Sequence, residues 1–123
     1  MRVFLGVAVL FLLFANLARA DEIEIGYGVV CGTQKEVEQI FALIDADMQT
    51  AIRTVNAEAN DPAACGFANV AFVRRPNPVT VESKHGAFQI VEIVVVGVVT
   101  ESGMRGIAPI VRFSLFRVAE ASA

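Results

Sequence analysis

The side chains able to do chemistry in this sequence are few, and their spacing limits each of them. Cys31 and Cys65 are the two cysteines and His85 is the one histidine. With no C-x-x-C pair and a single imidazole, the ligand sets of metal and redox sites are missing, so neither a metal nor a cofactor is expected. Asp45 and Asp47 are two apart. On a helix they diverge by about 200° and cannot serve one face as paired acid and base. Glu92 is embedded in the apolar run Ile90 to Val99. Were it buried its pKa would rise, which prepares a carboxyl for general-acid work, but the rarity of buried unpaired carboxylates favours an open sheet face. His85 stands in a Lys-His-Gly turn with no G-x-S-x-G or similar nucleophile for it to activate. Arg74 and Arg75, beside Pro76 and Pro78, could hold an anion or an acidic partner and otherwise read as a solvated loop. No catalytic residue is assigned; Arg74, Arg75, Lys84 and His85 are the candidate binding residues.

The elements that must position these groups start with a leader. Met1 to Ala20 carries an early arginine, an apolar run from Val3 to Ala15 and a small-x-small site at Ala18-Arg19-Ala20, the pattern of a secretory signal peptide. The remainder, 21–123, is expected to form one α+β domain. Removing Arg2 and Arg19 leaves 8 basic against 13 acidic residues, a net charge of −5. That balance argues against nucleic acid as a partner. No other stretch is apolar for long enough to span a bilayer. In an exported chain of this size two cysteines imply one structural disulfide, Cys31 to Cys65.

Between the cysteines the pattern predicts one long helix. Thr33-Gln34-Lys35-Glu36 is a capping box, and Val37, Ile40, Phe41, Ile44, Met48, Ala51, Ile52 and Val55 recur at helical spacing. Asn60-Asp61-Pro62 ends it near Glu58 to Asn60, a rod of roughly 37 Å. Around it, strands are expected at 23–30, 67–73, 79–82, 87–100 and 107–118. Gly26 and Gly28 read as a bulge or as room for the helix to cross, and Ala68, Val70 and Phe72 as the face turned to the helix. The long strand Ala87 to Thr100 is apolar on both sides, so it needs cover on both or leaves a valine-rich face for a homodimer. Gly97 marks a bulge or bend, and Pro109 an edge or bulge.

The expected fold is therefore α+β: one long helix packed on an antiparallel four- to five-stranded sheet in the order β-α-β-β-β-β, with one disulfide. This order resembles the cystatin-like arrangement, in which a sheet wraps a single helix. A protease inhibitor of that kind would need a Gln-x-Val-x-Gly hairpin tip after the second strand, where this chain has Arg74 to Pro78. A second resemblance rests on Val30-Cys31, Thr33-Gln34, Ala51-Ile52, Val55-Asn56-Ala57-Glu58, Asp61-Pro62, Cys65, Gly97-Val98-Val99-Thr100-Glu101 and Ala108-Pro109. These residues are similar to those of a group of small exported proteobacterial proteins to which no activity is assigned. The resemblance implies a periplasmic or secreted destination and carries over no active site. The functional expectation is a non-catalytic binding or interaction module for a protein or small-molecule partner. The alternatives are a small hydrolase or ligand-converting enzyme, with Glu92 and His85 converging between helix and sheet, and a cystatin-like inhibitor.

Overall fold

A computed structural model describes residues 22–118. The leader read over residues 1–20 and the tail read over Ala119 to Ala123 lie outside the described residues. The chain runs β1 (Glu24–Cys31), α1 (Gln34–Ala42), α2 (Met48–Ala59), β2 (Cys65–Arg74), β3 (Val79–Ser83), β4 (Gly86–Thr100) and β5 (Gly103–Arg117). It is an α+β fold with a five-stranded antiparallel sheet.

The capping box forms as read. The Thr33 hydroxyl accepts the Glu36 N–H at 3.2 Å, and the Glu36 carboxylate accepts the Thr33 N–H at 3.1 Å. The single long helix does not form; there are two short ones. Asp47 is the reason. Its backbone is extended, and its carboxylate accepts both the Thr50 N–H (2.9 Å) and the Thr50 hydroxyl (2.7 Å), so it caps a second helix instead of continuing the first. Asp45 falls in the connection between the two and not on a solvated helical face. The apolar stripe survives the break: Val37, Ile40, Ala51, Ile52 and Val55 are all buried in one cluster with Val29, Cys31 and Cys65. Each buried Val or Ile there contributes about 1.5–3 kcal/mol.

The α2 end is fixed by Asn60 in the left-handed region (φ 53°) and by Asn56. The Asn56 amide donates to the carbonyls of Pro62 and Cys65, both at 3.0 Å, and its oxygen accepts the Cys65 N–H at 2.8 Å. One side chain thus sets where β2 begins. Cys65 then lies directly opposite Cys31 in the β1–β2 register, and the two are disulfide-bonded with Cα atoms 4.1 Å apart.

The sheet closes on itself. β2 pairs with β1 on one edge and with β4 on the other, β4 pairs with β5, and β5 meets β1 again at Val30↔Ser114 and Cys31↔Phe113. β3 continues along the edge of β4 that β2 leaves, with Arg75 N–H donating to the Glu92 carbonyl (2.8 Å) where the two prolines interrupt pairing. β2 and β3 are thus one long strand broken at Pro76 and Pro78, not a hairpin.

Closure changes which residues face the helices. Val70 and Phe72 turn to the inside of the ring, where they pack with Val91, Ile93 and Val95, so the face expected to meet the helix lines a second core. The helices cover the other surface, through Val29, Cys31, Cys65 and Ile90, with Phe41 set edge-on to Phe88 at 5.6 Å. Around Ile90 and Val91 β4 is therefore covered on both sides, by the helices and by the ring interior, while Glu92, Val94 and Val96 on its outer face stay partly exposed. Gly97 sits at a register shift against β5, where three residues including Pro109 oppose one on β4. A Cβ at Gly97 would stand 3.1 Å from the Arg105 carbonyl oxygen. Gly26 and Gly28 are neither a bulge nor a helix crossing: both hold regular register with β2 and face the inner core.

Candidate functional site

β1 and β5 share two residue pairs and then part. Ser114 marks the fork: its buried hydroxyl donates to the Val29 carbonyl at 2.6 Å, beside the last residue pair of the two strands. Beyond it, Glu24 to Gly28 on one side and Leu115 to Phe116 on the other bound a slot of about 310 Å³. Every second residue of an antiparallel strand turns its N–H and C=O toward a given neighbour, so this part of β1 presents backbone polar groups to the slot.

The side chains of the slot divide by chemistry. Its floor is apolar: Ala68, Val70 and Phe72 from β2, Ile93 from β4 and Phe116 from β5. The β1 wall is missing side chains where they would fill it. A Cβ on Gly28 would meet nothing within 4 Å, and one on Gly26 would only touch the Phe72 ring at 3.5 Å. At the far end Arg74 donates through Nε and Nη2 to the two carboxylate oxygens of Glu24, at 2.8 and 3.0 Å. Its guanidinium lies 4.1 Å over the Phe116 ring, which in turn stands 5.9 Å from Phe72. This is a bidentate pair on an aromatic platform, half shielded from water.

The residues singled out by sequence separate into three places. Arg74 belongs to the slot. Arg75 lies 3.8 Å from Glu92, both about half exposed, so Glu92 is a surface ion-pair partner on an open face and not a buried acid. Lys84 and His85 dock onto the α1–α2 connection: the His85 ring is 2.6 Å and the Lys84 amine 3.6 Å from the Asp45 carboxylate. The hydrogen bond from His85, then the charge of Lys84, hold Asp45 below the ordinary carboxylate range. Hydrogen bonds from the Thr50 hydroxyl and N–H do the same for Asp47. Glu92 and His85 are therefore held by different partners, with roughly 20 Å of extended strand between them. The acid–base convergence that an enzyme reading needed is not formed.

Glu24, Gly26, Gly28, Phe72, Ser114 and Phe116 were not among the sequence candidates. Their signal is the alternation itself, since Glu24, Gly26 and Gly28 share one face of a strand whose other face carries Ile25, Tyr27 and Val29. That outer face is apolar and open beyond the helices, with Tyr27 and Phe67 stacked at 5.6 Å. β4 is paired on both edges and buried at Val91, Ile93 and Val95, while Val94 and Val96 on its outer face are half-buried. A crease beside the end of α2, lined by Arg53, Asn56, Ala57, Asn60, Asp61 and Pro62, is wider and more open to solvent.

Among the described residues no helix is long and apolar enough to cross a membrane, and no three His, Cys, Asp or Glu side chains converge as metal ligands would. Comparison with protein families, with characterised proteins and with solved structures returns no match to this chain.

Proposed function

We propose that the protein is a small exported binding module, without catalysis, whose ligand seat is the slot between β1 and β5. The observation that carries this reading is the slot's wall: two alternating glycines leave an apolar floor uncovered in a ring of strands that is closed everywhere else. An oxidised disulfide and the leader pattern support a periplasmic or secreted setting, where such bonds persist. A partly open apolar site with a few convergent polar groups is the usual form of a small-ligand seat.

The chain has no tryptophan, so the emission of added indole reports binding without interference. Saturable blue-shifted indole emission is expected with the oxidised protein. Gly28→Leu, which places a side chain in open space on a regular strand, should abolish it while leaving the melting temperature unchanged. An equal response in the Leu variant would remove the slot as the seat.

A further inference from the structure

We propose that the slot takes an uncharged amphipathic molecule of about ten non-hydrogen atoms, a short acyl ester or comparable carbonyl compound, with its carbonyl oxygen on Arg74 and its hydrocarbon over Phe72, Ile93 and Phe116. This rests on the slot being the ligand seat and adds the chemical class of what it holds.

The size follows from the volume. About 310 Å³ equals the liquid volume of roughly ten waters, and a methylene is close to a water in size. The head group follows from the hydrogen-bond inventory. A guanidinium has five N–H donors, and Glu24 uses two of them, at Nε and Nη2. The remaining donors offer a seat to an acceptor. An anion fits that seat poorly, because Glu24 already balances the charge of Arg74. A carboxylate ligand would bring a second negative charge beside the Glu24 carboxylate in a site that is partly withdrawn from water, and like charges there repel. A cation would meet donors only. A neutral carbonyl accepts without adding charge. Phe116 holds the guanidinium plane from below, so the acceptor must approach along the donor edge at the mouth of the slot while its chain enters over the apolar floor.

The test compares methyl octanoate, octanoate and octylamine, three molecules with one hydrocarbon body and three head charges, by calorimetric titration of the oxidised protein at neutral pH. The ester is expected to bind at least about tenfold more tightly than either ion, the difference of one well-placed polar contact. Glu24→Gln removes the balancing charge and should reverse the order, so that octanoate binds about tenfold more tightly than the ester, because a hydrogen bond from an unbalanced guanidinium to a carboxylate is the stronger kind. Octanoate preferred by the unaltered protein, or an order unchanged by Glu24→Gln, would overturn the assignment of ligand class while leaving the slot as a seat. Equal binding of the ester to the unaltered protein and to Gly28→Leu would overturn the seat itself.

Discussion

The two cores of this molecule are built on opposite sides of the same strands and finished differently. On the helix side, Cys31–Cys65, the Thr33 capping box and the Asn56 clamp tie α1 and α2 down, and Val37, Ile40, Ala51 and Val55 have no exposed surface. Inside the ring, Val91, Ile93 and Val95 are equally buried, but the wall between β1 and β5 is left open where Gly26 and Gly28 stand. One side is stapled and the other is vented. The disulfide, the capping box and the Asn56 clamp concentrate the tying contacts on the first side, and the second is the one whose apolar floor stays reachable from outside.

The largest effect should come from the staple. Replacing both Cys31 and Cys65 with Ser reopens a loop of about 35 residues and should cost about 4 kcal/mol in urea unfolding, a large share of what a domain this size has. A loss under about 1 kcal/mol would mean that the helices hold without it. Next comes Asn56→Ala, which strands a partly buried N–H and carbonyl of Cys65 and should cost about 3 kcal/mol, measured the same way. The glycines then separate the two sides more finely. Gly97→Ala pushes a Cβ against the Arg105 carbonyl and should cost about 1–2 kcal/mol. Gly28→Ala meets open space and should be neutral or stabilise by about 0.5 kcal/mol. If both glycine variants are equally destabilised, the slot is not the open space described. The smallest effect belongs to the turn at Lys84 and His85. Because Asp45 is held below the ordinary range in the folded state, its contribution is complete above the usual carboxylate pKa and is lost as pH falls through the lowered one. Asp45→Asn should flatten that acid-side decline in an NMR titration of the His85 turn, and an unaltered decline would assign it to other carboxylates.

Much of the fold was legible because local signals agreed. The capping box, the αL end at Asn60, the strand punctuation by Pro76 and Pro78, and the cysteine pair each act over a few residues and appear where the sequence puts them. The helix break was written in Asp47-x-x-Thr50, a second N-cap hidden inside a stripe whose apolar spacing continues across it. Closure of the sheet was not legible. It depends on β4 offering one edge to both β2 and β3, and no local pattern distinguishes that from a simple meander. Closure decides which face of β2 is inside, so the alternation marks Val70 and Phe72 as buried while leaving open that the ring interior, and not the helices, covers them. The site followed the same rule: Arg74 stood out as a charged loop residue, but its partner Glu24 is 50 residues away, and only the β1–β2 register brings them together.

Entry of a ligand at the slot is tested most directly by amide and methyl chemical-shift mapping of the oxidised protein with saturating methyl octanoate. Shifts are predicted at Gly26, Gly28, Ser114, Leu115, Phe116 and the Ile93 methyls, with α1, α2 and the Lys84–His85 turn unmoved. Shifts centred instead on the crease from Arg53 to Pro62, or on the Tyr27–Phe67 face, would contradict it.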